Sequence, residues 1–148
     1  MFPVIGPLVR PGRASRAKPV FFGFIFGPRG RLTRDFLLDS AADDLVVPET
    51  WAGPLGIDLS HCPTAGAHGW GSNIPVSIRI ARVILEFSDG AETCRWRTEV
   101  GFAPMRDRYG LFGVAGGLEY FRTTLDFERR EIELIPQPTL PATTDAVP

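Results

Sequence analysis

The residues with the clearest chemical potential lie in segment 36–48, where a carboxylate follows directly on an apolar run. The run ends in Asp39, and Ser40, two alanines, two aspartates and a second apolar run follow. This order predicts a buried strand that delivers Asp39 into a tight turn, with the Ser40 hydroxyl beside it. A carboxylate at the end of an apolar strand is costly to bury unless a neighbouring group balances its charge. The segment therefore offers one positioned carboxylate for acid–base chemistry, or an Asp that merely hydrogen-bonds its own turn.

Other chemistry-bearing residues are scattered. His61, Cys62, His68 and Cys94 are residue types that zinc prefers. Their spacing fits no zinc-finger pattern, and the adjacent His61 and Cys62 would be awkward to point at one ion. We expect loop histidines, a buried Cys94 on the apolar face of its strand, and no metal site. The sequence has no Ser-His-Asp arrangement, phosphate-binding Gly loop or dinucleotide fingerprint.

Length and composition favour one globular domain. The chain has 148 residues, of which 44% are hydrophobic, and its 16 Gly and 14 Pro predict many turns. A net charge of -1 gives no argument for nucleic acid or an anionic membrane. The apolar run 20–26 is too short to span a bilayer, and no signal-peptide cleavage pattern follows it. Two cysteines are too few for a disulfide framework, so we expect a cytoplasmic protein with reduced thiols.

The two ends differ in composition from the rest. Segment 1–18 mixes Pro and Gly with four basic residues and predicts a mobile basic arm, which we interpret as a solvated tail rather than a nucleic-acid arm. The Pro- and Thr-rich segment 137–148 shows no apolar periodicity and is predicted to be disordered. The folded domain is therefore expected to span 19–136.

Within that domain the sequence predicts mostly short strands. The runs 20–26 and 32–38 flank the turn signal 27–30 and predict a hairpin. In 74–87 the apolar alternation slips from even to odd positions, which predicts a bulge or bend near Ala81 and Arg82. Further strands are predicted at 94–102 and 131–134, and short helices at 49–55 and 117–122. We also expect Trp51, Trp70 and Trp96 to be core or interface residues. The fold class is mostly β, as a small closed barrel or folded sheet.

The segment at Asp39 resembles the active-site motif of the retropepsin-like aspartic proteases, Asp-Thr/Ser-Gly-Ala followed by hydrophobic residues. Ala41 stands where that motif has Gly. Segment 64–71, with three glycines, is similar to the flap hairpin that follows the motif in this family. Leu111-Phe112-Gly113 and the residues after it look like the family's later apolar-apolar-Gly element and short helix.

The resemblance covers 19–136. Its last part, 127–135, looks like the Glu/Arg-rich hairpin that ends small bacterial members. It implies a closed β-barrel with one or two short helices, acting as a symmetric homodimer. It also implies an aspartic endopeptidase that cleaves peptides or unfolded proteins and needs no cofactor, nucleic acid or membrane.

The resemblance also assigns roles to residues of the predicted site. Asp39 would be the catalytic carboxylate, and Ser40 would hydrogen-bond its symmetry mate. The other implied site residues are Ala41 in the active-site loop, Asp43 and Asp44 at the dimer and the substrate backbone, and Gly69, Trp70 and Gly71 near the flap tip.

Two positions depart from the family pattern. Val114 follows Gly113 where the family often has an Arg that pairs with the residue aligned to Asp43, so Arg106 or Arg108 serves instead, or that contact is absent. At Ala41 a methyl group would crowd the substrate, or, if φ is negative, would stiffen the loop at little cost. Two other interpretations stay open: a catalytically silent dimer that binds peptides or proteins, and a structural β-domain in which Asp39 caps a turn.

Overall fold

A computed structural model describes residues 2–3, 7–8, 16–68 and 75–143. The chain is mostly β, as predicted, and within the described ranges no helix is long and apolar enough to cross a membrane. The strands are β1 Phe2–Pro3, β2 Pro7–Leu8, β3 Arg16–Ala17, β4 Val20–Gly27, β5 Gly30–Leu38, β6 Val46–Pro48, β7 Thr64–His68, β8 Pro75–Ser88, β9 Thr93–Ala103, β10 Gly110–Phe112, β11 Phe121–Asp126 and β12 Glu131–Pro136. The helical elements are α1 Ala52–Leu55 and the 3-10 turns Glu49–Trp51, Leu59–His61 and Leu118–Tyr120.

Six strands close into a barrel in the order β4-β5-β10-β6-β9-β8, because β8 also pairs with β4. β7 adds to the outer edge of β8. Two pairings are parallel, β10 with β5 and β6 with β9, and the others in the barrel are antiparallel. Closure pairs both edges of the sheet, which removes the unpaired backbone that an open edge would expose. The predicted closed barrel is confirmed, and the homodimer stays a prediction.

Aromatic side chains fill the barrel. Phe87 lies at the centre, with ring centroids 4.9 Å from Phe21 and 5.2 Å from both Trp96 and Phe112, in edge-to-face arrangements. Such pairs add about 0.5–1.5 kcal/mol each beyond the burial of their area. Trp51 and Trp96 are fully buried, so their prediction as core residues is confirmed. The strand ends that carry the site are therefore anchored in a rigid core.

The strand predictions hold for the hairpin and fail at one point in β8. β4 and β5 pair from Val20 and Leu37 to the turn, as predicted from the flanking glycines. β8 pairs with β9 in one uninterrupted register from Arg79 to Ser88, so the first alternative predicted near Ala81 and Arg82, a bulge, is wrong, and the second, a bend, stays a prediction. The alternation slips because β8 is apolar on both faces: its odd positions 83, 85 and 87 fill the barrel, while Ile78 and Ile80 line surface cavities.

Short segments near both ends join the folded part. β1 pairs with β12, which pairs with β11, and β2 pairs with β3. The Gln137 N–H donates to the Tyr120 carbonyl at 2.8 Å, Leu140 packs against the core, and the Thr143 hydroxyl donates to the Arg95 carbonyl. The rest of the predicted arm and tail lies outside the described residues, and the boundaries at 18 and 136 stay predictions.

Candidate functional site

Asp39 follows the last residue of β5 and opens a tight turn, as the sequence predicts. Its Oδ1 accepts the Ala41 N–H at 3.0 Å, and its carbonyl accepts the Ala42 N–H at 3.2 Å. Asp39 is half-buried and Ser40 is exposed. Among the described residues no donor reaches the second oxygen, Oδ2. One carboxylate oxygen is thus fixed by the turn.

A second loop, residues 113–117, forms backbone hydrogen bonds with the turn, and we call it the clasp loop. It follows β10, which runs parallel to β5 and places Phe112 beside Leu38. The Asp39 N–H donates to the Phe112 carbonyl at 3.2 Å. The remaining clasp hydrogen bonds are Val114 N–H to Ala42 O at 2.9 Å, Ala115 N–H to Asp43 O at 2.8 Å and Leu45 N–H to Ala115 O at 3.1 Å. These bonds fix the backbone of the whole turn.

Side chains from other parts of the chain form hydrogen bonds with the backbone of Gly116 and so fix the clasp loop. The Gly116 carbonyl accepts the indole N–H of Trp96 at 3.0 Å and the hydroxyl of Thr98 at 2.9 Å. The Gly116 N–H donates to Oε1 of Glu119 at 2.6 Å. Gly116 has φ +81°, a conformation that favours glycine. Sequence reasoning missed these supporting residues, although the spacing of Glu119 three residues after Gly116 was a usable signal.

Ala41, which stands where the family motif has Gly, has a negative φ. Among the described non-glycine residues only Arg130 has a positive φ. Ala41 is therefore not strained, and the alternative in which its methyl group stiffens the loop has the backbone geometry it requires. The residue is exposed and lines a groove.

This groove, of about 350 Å³, runs between the Asp39 turn and the hairpin formed by β7 and β8. Its walls are mostly apolar or small, including Ala41, Gly66 and Ile78. Asp43 and Asp44 are the charged residues of its lining within the described ranges. The structure thus brings three of the predicted site residues to one groove, beside the turn that holds Asp39. The predicted flap-tip residues Gly69, Trp70 and Gly71 lie outside the described residues.

A second cavity of about 550 Å³ lies beyond Asp44, which lines both spaces. We call it the outer cavity. It holds charges of both signs, including Arg97 and the pair Arg82–Glu99, whose side chains approach to 3.6 Å. The outer cavity is therefore polar and mixed in charge, whereas the groove is apolar with acidic residues.

The sequence left open whether Arg106 or Arg108 pairs with Asp43. Within the described ranges neither forms an ion pair with it, and the Arg108 guanidinium lies over the Tyr109 ring at 5.5 Å. The contact is absent, which is one of the outcomes that the sequence allowed.

His61, Cys62 and Cys94 do not line this groove. His61 is exposed and lies 3.6 Å from Asp58, and the Cys62 thiol donates to the Asp58 carbonyl at 3.3 Å. Cys94 is half-buried rather than buried, and burial raises the pKa of its thiol to about 11. Across the described ranges no group of three or more His, Cys, Asp or Glu side chains is arranged to hold a metal ion.

Comparison with known proteins gives little beyond a similarity of fold. No family model matches the sequence, and no curated protein matches it. Among solved structures, the chain is similar to a retropepsin-like aspartic protease from Rickettsia conorii, with a TM-score of 0.45 and 20% identity over 73% of this chain and 77% of that chain. At this level the similarity says nothing about the chemistry of Asp39.

Proposed function

We propose that this chain is an aspartic endopeptidase, active as a symmetric homodimer in which Asp39 of each copy supplies half of a catalytic pair. The observation that carries the proposal is the Asp39 turn, because its carboxylate is fixed through one oxygen, its backbone is clasped, and it stands beside an apolar groove. The motif resemblance at Asp39 and Ser40 supplies the chemistry that such an arrangement would serve.

The homodimer follows from the number of motifs. Two-carboxylate hydrolysis needs two Asp residues that face each other, and this chain contains one Asp-Ser-small motif. A twofold axis presents the same residue from both sides, so one motif suffices in a dimer. Ser40 is exposed, and in the proposed dimer its hydroxyl would hydrogen-bond the turn of the second copy.

The proposed reaction needs the two Asp39 side chains in different protonation states. Two carboxylates about 3 Å apart repel each other strongly, so the proposed mechanism places one shared proton on the pair. The ionised carboxylate takes a proton from water as the water oxygen bonds to the peptide carbonyl carbon. The protonated one gives its proton to the carbonyl oxygen. The first carboxyl group then passes the proton it took from water to the peptide nitrogen, the second carboxylate takes a proton back from a hydroxyl of the tetrahedral intermediate, and the C–N bond breaks to leave a carboxylic acid and an amine.

The surrounding residues orient these groups. The Ala41 N–H holds Oδ1, which leaves Oδ2 to face the water and the second carboxylate. The β7–β8 hairpin would cover a bound peptide as a flap, and the apolar groove wall would exclude bulk water.

Two other functions stay open, each with an observation in its favour. The Ala41 methyl group lines the groove, which favours a silent dimer that binds peptides without cleaving them. The bond from Ala41 N–H to Asp39 Oδ1 is also the bond by which Asp stabilises ordinary turns, which favours a purely structural role.

The test compares cleavage of an unfolded protein by the wild type and by Asp39→Asn. The Asn amide oxygen can still accept the Ala41 N–H, so we expect normal folding and loss of cleavage. Asp35→Asn removes an exposed carboxylate elsewhere on β5 and should keep full activity. A wild-type dimer that never cleaves would support a dimer that only binds peptides. A wild-type monomer would support a purely structural role for Asp39.

A further inference from the structure

The charged side chains that line the groove, within the described ranges, are both acidic. The described lining of the groove combines apolar and small side chains with the carboxylates of Asp43 and Asp44, and no basic residue of the described ranges lines it. Apolar walls reduce the screening of charge by water, so a carboxylate there acts more strongly on a ligand than one on an open surface.

The backbone of Asp43 is held in place, and its carboxylate has no partner among the described residues. Its carbonyl accepts the Ala115 N–H at 2.8 Å, which fixes the backbone. The side chain is exposed, and within the described ranges it makes no ion pair or hydrogen bond. A carboxylate on a fixed backbone that lines a groove, with no ion-pair partner among the described residues, is suited to bind a cation.

Asp44 contributes less to this selectivity. It stands at the junction of the groove and the outer cavity, where Arg82 and Arg97 also line the space. Glu99 and Glu119 line that space as well, so charges of both signs surround Asp44 there, whereas Asp43 lines only the groove.

We propose that Asp43 makes the groove select peptides that carry a cationic group next to an apolar side chain. This inference rests on the proposed function only in taking a peptide as the groove's ligand. The cation is a Lys or Arg side chain or the ammonium of a peptide N-terminus, since both offer the same charge and N–H donors.

The test measures binding rather than cleavage, in the Asp39→Asn protein, so that peptides stay intact. Fluorescent peptides that differ at one position as Lys, Met or Glu, with both ends blocked, are titrated at low salt. A further Met peptide has a free N-terminus. We expect the Lys peptide or the free-amine peptide to bind about two- to fivefold more tightly than the blocked Met peptide.

Two added substitutions test whether Asp43 causes the preference, which Asp43→Asn should abolish. Asp35→Asn, which removes the same charge outside the groove, should leave the preference intact. Unchanged thermal unfolding of each variant shows that its fold is retained.

The outcomes separate this inference from the proposed function. Equal binding of all blocked and free peptides, a preference that survives Asp43→Asn, or no binding at all would overturn it. Wild-type cleavage without any charge preference overturns the inference and keeps the peptidase. A charge preference without wild-type cleavage keeps the inference and removes the peptidase. Preference for the free-amine peptide alone identifies the N-terminal ammonium as the ligand.

Discussion

Gly113 and Asp44 are in backbone contact: a Cβ built on Gly113 would lie 2.0 Å from the Asp44 carbonyl oxygen. The same Cβ would lie 2.8 Å from the Ala42 carbonyl oxygen. The clasp loop and the Asp39 turn therefore approach as closely as two backbones can, which is possible only because position 113 has no side chain. The apolar-apolar-Gly pattern at 111–113 thus has a physical cause in this chain.

Substitution Gly113→Ala should destabilise the fold. The added methyl group must push the two loops apart and weaken the bonds from Val114 N–H and Ala115 N–H to the turn. We expect a loss of about 1–3 kcal/mol in the free energy of unfolding, measured by urea denaturation. Gly53→Ala is the matched control, since nothing lies within 4 Å of its added Cβ, and it should not destabilise. Equal stability of Gly113→Ala and the wild type would contradict the close approach.

Substitution Ala41→Gly tests the departure from the family motif. Because φ of Ala41 is negative, glycine gains nothing in the fold and adds freedom to the unfolded chain. We expect the free energy of unfolding to fall by about 0.4–1 kcal/mol. Loss of one methyl group from the groove changes the free energy of apolar contact with the substrate by about 0.8 kcal/mol. The cleavage rate should therefore change by no more than about fourfold. Cleavage that appears only in Ala41→Gly would instead favour the silent dimer.

Mixing experiments test whether two copies share one site. If each active pair needs Asp39 from both copies, equal amounts of wild type and Asp39→Asn leave about one quarter of randomly assorted dimers fully wild type. Cleavage should then fall to about one quarter of that of the same total of wild-type protein, after subunits have exchanged. Independent monomers would retain about one half, and that result would exclude a shared site.

Local sequence signals account for the parts of the fold that were predictable. The β4–β5 hairpin follows from two apolar runs around a glycine-containing turn, and the position of Asp39 follows from the end of the second run. The barrel follows less directly, because its closing pair, β4 with β8, joins segments about sixty residues apart. The β8 bulge was predicted wrongly because alternation on two buried faces gives the same pattern as a register slip.

Apart from Glu119, the residues that support the site were not predictable, because their contacts are distant in sequence. Trp96 and Thr98 bond the Gly116 carbonyl across 20 and 18 residues, and neither residue carries a local signal for that role. The unpaired state of Asp43 likewise depends on where Arg106 and Arg108 lie after folding. The backbone angle at Ala41 depends on the clasp, so the sequence alone left two alternatives open.

Cys94 should make the stability of the fold depend on pH in the alkaline range. Burial raises the pKa of its thiol from 9.0 to about 11, so above pH 9 the unfolded chain loses this proton before the folded one. The neutral thiol therefore contributes stability that is fully present below pH 9 and is lost as the pH rises towards 11. We expect the difference in unfolding free energy between the wild type and Cys94→Ala to be constant below pH 9 and to shrink from there to pH 11. In the Cys62→Ala background, the remaining thiol should be alkylated more slowly at pH 8 in the folded protein than in urea. A constant difference up to pH 11, together with equal alkylation rates, would show that the Cys94 thiol is not desolvated by the fold.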